Sequence, residues 1–207
     1  MALVKGKFSA LADRDTGQPE CDCEQLAAAL ENADAAGRRR AAREMGQCPG
    51  AAAVLVARLK REQDLAVREA ILNTLVRLSN PSVASGLAEC LRSQDAALRN
   101  EVIEAMKRMG AEVAPVLRLL LSDSDPDVRI FAVNILNSER CAEAEGLLIE
   151  VIQHDPHVNV CATAVDLLCE VGTEAAHDPL VRLKARFATE AYIQFAADLA
   201  LKRIREI

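Results

Sequence analysis

One short phrase, repeated about every thirty residues, constrains this chain more than any other feature. Asp64-Leu65-Ala66-Val67-Arg68, Asp95-Ala96-Ala97-Leu98-Arg99 and Asp125-Pro126-Asp127-Val128-Arg129 each run Asp, two variable residues, an aliphatic, then Arg. Asp34-Ala35-Ala36-Gly37-Arg38 precedes them with Gly in the aliphatic place. Asp155-Pro156-His157-Val158-Asn159 follows with Asn in the arginine place. The arginine places are spaced by 30, 31, 30 and 30 residues. A degenerate sixth copy begins at Glu190, with Ile193-Gln194 for aliphatic-Arg. Such a period implies stacked supersecondary units, none of which can bury its apolar flank alone.

Each part of the phrase has a physical reason. Asp is a strong N-cap for the unpaired amides of a first turn, and Pro126 and Pro156 sit where a helix tolerates proline. Aliphatics then recur three, four and seven places after the Arg: Ile71, Leu72, Leu75; Val102, Ile103, Met106; Ala132, Val133, Leu136. That is one helical face. In the fifth copy the spacing drifts to Ala162, Val165 and Leu168. Shorter apolar-periodic stretches lie between these helices, at Ala51–Leu59, Val83–Leu91, Val113–Leu121, Glu143–Ile152 and Ala176–Phe187. Each is too short to be a stable helix by itself. The reading is six antiparallel helix pairs beginning near Cys23, stacked into a rod on the order of 50–60 Å long at the usual helix spacing. Composition agrees: 51% of residues are hydrophobic, yet aromatics make up only 2% and tryptophan is absent, which suits close helix packing more than a β-sandwich.

The Asp-Pro-x-Val-Arg phrase at this period resembles the short HEAT-like repeat first noted in phycobilisome lyases, over residues 24–207. The resemblance implies an all-α, right-handed α-solenoid (an α-α superhelix) of about six HEAT-like pairs. They would fall near 21–47, 48–79, 80–110, 111–139, 140–172 and 173–207, after a flexible N-terminal arm over 1–20. It also implies a structural ladder of Asp34, Arg38, Asp64, Arg68, Asp95, Arg99, Asp125, Arg129, Asp155 and Asn159. Proteins of this kind include scaffolds, regulators, bilin-lyase subunits and a few enzymes, and their second helices typically line the concave side.

Helical geometry then places a partner-binding surface one and five residues after each repeat Arg. One row reads Arg39, Glu69, Asn100, Ile130, Val160, Phe195; the other reads Arg43, Asn73, Glu104, Asn134, Ala164, Leu199. Both are polar in the first three repeats and apolar towards the end, the pattern expected of an interface with a protein segment or a second copy of the chain. Charge is uneven too. Residues 36–68 carry eight basic residues against three acidic ones, whereas residues 121–180 carry twelve acidic ones against Arg129 and Arg140, a polarity that can orient a charged partner.

A net charge of −6 argues against non-specific nucleic-acid binding. No apolar run reaches membrane-spanning length, and no secretory leader is read at the start, so a cytoplasmic address is expected. Seven cysteines in no framework spacing suggest reduced thiols. His154, His157 and Cys161 are the candidate metal ligands, with His177, Cys141 and Cys169 in the same stretch, but their spacing matches no established metal motif. Cys21 and Cys23 form a Cys-x-Cys pair, a weak soft-metal or redox signal. There is no Gly-rich phosphate loop and no nucleophile elbow, nor the His-Glu dipeptide of di-iron HEAT-like hydroxylases. The expectation is a non-catalytic protein-binding adaptor or regulatory scaffold without a cofactor. The alternative is a cofactor-linked maturation factor or bilin-lyase-like chaperone using the fifth repeat.

Overall fold

Helix starts follow the aspartates. In the computed structural model, which describes residues 22–136 and 143–205, the Asp34 carboxylate accepts from Gly37 N, Asp64 from Ala66 N and Val67 N, Asp95 from Ala97 N and Leu98 N, and Asp125 from Asp127 N. Each satisfies amides that the first turn leaves unpaired. The arm predicted over 1–20 lies outside the described residues.

Twelve α-helices form six consecutive pairs among the described residues, with no strand. They are α1 (Cys23–Asn32) with α2 (Ala35–Glu44), α3 (Ala51–Leu59) with α4 (Leu65–Leu78), and α5 (Pro81–Cys90) with α6 (Ala96–Met109). Then come α7 (Ala114–Leu121) with α8 (Pro126–Leu136), α9 (Ala144–His154) with α10 (Val158–Val171), and α11 (His177–Arg186) with α12 (Ala191–Arg205). The second helices pack in unbroken order, α2 on α4, α4 on α6, and so to α12. The first helices form a parallel layer that loosens between α7 and α9, where a cleft of about 670 Å³ opens over Leu121, Leu147 and Val151.

One aliphatic core runs from Leu30 to Ile204, and Phe131 and Phe187 are only partly buried beside it. Without bulky rings between them, helices can approach closely. A Cβ built on Gly86 of α5 would lie 2.8 Å from Val56 Cγ2 of α3, so that contact exists because residue 86 is glycine.

The repeat arginines stitch consecutive pairs together. Arg68 donates to Glu62 O (2.7 Å), Arg99 to Ser93 O (2.7 Å) and Arg129 to Asp123 O (2.8 Å), in each case the carbonyl six residues earlier in the turn between helices. The same guanidiniums reach into the next pair. Arg68 Nη2 meets Asp95 (2.5 Å), Arg129 grips both oxygens of Asp155 (2.7 and 3.1 Å), and Arg99 lies 5.5 Å from the Phe131 ring centroid. Arg38 bonds Ala33 O and, through Nε and Nη2, the carboxylate of Glu62.

The fifth pair departs from the sequence register. Its second helix starts at Val158 with His157 at the N-cap, and Asp155, two residues further back, accepts from His157 N (2.8 Å). Asn159 is therefore not the ladder residue; it is exposed in the first turn. Cys161 holds that place, its Sγ 3.4 Å from the carbonyl of Asp155, again six residues earlier. The missing guanidinium comes from the next pair. Arg186 at the end of α11 donates to Gln153 O (2.7 Å) and Asp155 O (3.0 Å) and lies 3.1 Å from Cys161 Sγ. In the sixth pair Gln194 takes the arginine place, donating to Lys184 O and Phe187 O.

Candidate interaction face and charged pockets

The outward side of the second-helix layer is built from the positions that each buried stripe leaves over. Arg39, Glu69 and Asn100 in the first row, and Arg43, Asn73 and Glu104 in the second, are exposed. Ile130 and Asn134 are half-buried. The two-residue shift in the fifth pair corrects the rows there. Val160 and Ala164 are both 0% exposed and belong to the core. The outward positions are instead Ala162, half-buried, and Asp166, exposed. The gradual apolar trend expected over the last three repeats thus breaks at α10 and resumes on α12.

On α12 it is concentrated. Tyr192, Phe195 and Leu199 are 55%, 67% and 52% exposed and lie on one side of the helix. Counted from Gln194, Phe195 and Leu199 stand one and five places on, so the apolar stripe continues the outward rows. Tyr192 is held there by a 2.7 Å hydrogen bond from its hydroxyl to Asp166 of α10.

At the other end the layer is basic. Arg39 and Arg43 of α2, with Ala66, Glu69, Ala70, Asn73, Thr74 and Arg77 of α4, line a pocket of about 250 Å³. Arg77 Nη2 donates to Arg43 O (3.1 Å) and lies 3.4 Å from the Thr74 hydroxyl, whose side chain is buried.

The most elaborate charge cluster was not legible as a repeat feature. Glu62, 1% exposed, accepts from Arg38 Nε and Nη2, from Arg58 Nε and Nη2, and from the amides of Gln63 and Asp64. Burial alone would push this carboxyl up, but Arg38, the Asp64 amide, Arg58 and the Gln63 amide outweigh it and hold it at about 2. Arg58 also lies 3.5 Å from Glu31, which pairs with Arg61 as well, so the cluster ties α1, α2 and α3 to the turn before α4.

The histidines and cysteines do not converge. His154 is exposed with Nδ1 on Glu150 O (3.0 Å), and Cys161 is buried under the Arg186 guanidinium, where a cation would have to sit. Among the described residues no group of three or more His, Cys, Asp or Glu could hold a metal ion. Burial pushes the Cys161 thiol up to about 11 despite Arg186, and burial does the same to Cys90. Cys21 and Cys141 lie outside the described residues. Cys23 is not a free thiol: it is disulfide-bonded to Cys48, joining the first turn of α1 to the segment before α3. Sequence spacing gave no hint of this pairing, and it removes the cysteine argument for a reducing compartment. No helix among the described residues is long and apolar enough to cross a membrane.

The sequence profile of HEAT repeats matches residues 23–107 and 113–202. No functionally curated protein matches the sequence. Among solved structures, the chain is similar to an archaeal HEAT-like repeat protein from Thermococcus onnurineus NA1, at 17% identity and a TM-score of 0.49, covering 89% of this chain and 87% of that one. It is similar to a designed armadillo repeat protein at 17% identity and a TM-score of 0.40, covering 88% and 100%. It is also similar to the complex of CpcE and CpcF of phycocyanin lyase from Nostoc sp. PCC7120, at 16% identity and a TM-score of 0.37, covering 95% and 100%.

Proposed function

This chain belongs to the HEAT-repeat family, and on that premise we propose that it is a non-catalytic scaffold holding a protein partner along the outward face of its second-helix layer. The observation that carries this reading is the stripe of Tyr192, Phe195 and Leu199, each more than half exposed. Large apolar side chains gathered on one helix face, beside a helix end that is otherwise charged, favour contact with another apolar surface. Tyr and Phe supply wide contact area at low conformational cost, which is why aromatic residues anchor interfaces. The partner contributes an apolar face for α12, and its contacts extend over Ile130 and Ala162 towards the polar rows of the first pairs.

The test uses a photo-crosslinking amino acid at position 199. The control site is Leu119 of α7, which is 74% exposed in the first-helix layer. The expected result is one dominant crosslinked protein from position 199, lost when Phe195→Asp is added, and no matching product from position 119. Equal capture at both sites refutes the assignment. A second copy of the chain is the competing occupant; a crosslinked product of twice the chain mass, with a dimer in sedimentation, identifies it.

A further inference from the structure

We propose that the pocket between α2 and α4 is an anion site that receives a carboxylate side chain of the bound segment, so that the partner is acidic where it meets the first two pairs. This rests on the reading of the second-helix layer as the docking face.

Among the described residues, neither the Arg39 nor the Arg43 guanidinium has a hydrogen bond or ion pair. Other basic side chains of these pairs are engaged, Arg38 and Arg58 with Glu62, Arg61 with Glu31 and Arg68 with Asp95, while Arg40 lines a separate hollow beside α1. Two unpaired guanidiniums one helical turn apart on α2 therefore face the same pocket, and Arg77 faces it from α4. Arg77 is held in place. Its Nη2 is anchored on Arg43 O, and a Cβ built on Gly46 would approach that nitrogen to 3.3 Å and Thr74 Cγ2 to 3.0 Å. The missing side chain at 46 makes room for the guanidinium. Among the described residues, Arg77 makes its hydrogen bonds through Nη2, which leaves Nε and Nη1 to donate to a ligand. The pocket thus presents three guanidiniums against one carboxylate, Glu69, above the buried Thr74, and its volume of about 250 Å³ admits an acidic side chain together with water. Guanidinium and carboxylate match in paired hydrogen-bond geometry.

The surroundings select an acidic peptide over a nucleic acid. A phosphate backbone following the layer would meet Glu104, Asp127, Asp166 and Glu170, all exposed. No aromatic ring lines the pocket to stack a base.

Fluorescence anisotropy of the full chain with a labelled glutamate-rich peptide at low ionic strength tests the assignment. The comparison probes are the same peptide with glutamine for glutamate, and a single-stranded oligonucleotide of equal charge. Saturable, salt-sensitive binding of the glutamate peptide alone is expected. Arg39→Glu with Arg43→Glu should weaken it roughly tenfold or more, since two charge-assisted contacts become repulsive. Both side chains are exposed, so an unchanged melting curve shows that the variant is folded. Glu69→Gln should tighten binding, a gain that a merely structural role for these residues would not produce. Absence of peptide binding, equal binding of the glutamine peptide, oligonucleotide binding as tight as the peptide's, or an unaffected double variant would each overturn the proposal. If these fail while capture at position 199 persists, only the pocket assignment falls.

Discussion

Glu62→Gln removes one negative charge from the joint between the first two pairs while nearly preserving shape. Glutamine mimics the protonated acid, so its cost follows from the depression of the Glu62 carboxyl, from an ordinary 4.5 to about 2. That difference is worth about 3 kcal/mol at neutral pH. Leaving two partly buried guanidiniums without their shared carboxylate gives a similar figure, about 3–5 kcal/mol. Because the folded state holds the carboxyl below its unfolded value, the stabilisation is complete above about pH 4.5 and is lost as pH falls towards 2. The deficit of the variant should therefore shrink to roughly 1.4 kcal/mol near pH 3. Urea titrations followed by far-UV ellipticity at neutral and acid pH measure both quantities, and hydrogen exchange should locate the loosening in α1–α4. A deficit under about 1 kcal/mol at neutral pH, or one that does not narrow on acidification, refutes the account of the cluster.

Three further outcomes follow from the packing. Arg186→Ala should cost about 1–3 kcal/mol by stranding the carbonyls of Gln153 and Asp155, and Cys161→Arg in that background should recover part of it by restoring a guanidinium at the repeat position. Additive losses in the double variant would show that Arg186 does not substitute for the repeat arginine. Gly86→Ala should destabilise by about 1–3 kcal/mol through overpacking against Val56, and Val56→Ala should relieve it; a neutral Gly86→Ala in thermal melts would argue against that close approach. With thiols held at about 11 by burial, Cys90 and Cys161 should resist iodoacetamide at pH 8 in the native state and react in urea. Peptide mapping that shows either alkylated as fast as in the unfolded chain would disprove their burial.

The number and kind of elements were determined by local chemistry, and so they were legible in the sequence. An aspartate caps the helix that follows it whatever the rest of the chain does, and aliphatics at helical spacing mark one buried face. The pairs, the second-helix starts at Leu65, Ala96 and Pro126, and the outward place of Phe195 and Leu199 could all be read from the period alone. The fifth pair could not, because Asp155-Pro156 imitates the repeat phrase while the helix begins two residues later. Only packing decided that Val160 and Ala164 turn inward and that Cys161 stands in the arginine place. The guanidinium it lacks arrives from Arg186, twenty-five residues on, the Glu62 cluster gathers side chains from α2 and α3, and Cys23 meets Cys48 across a pair. Such contacts join residues far apart in the chain, and a repeat pattern describes each unit without saying which neighbour satisfies its unpaired groups. That choice depends on distances across the stack, which exist only once the helices lie side by side.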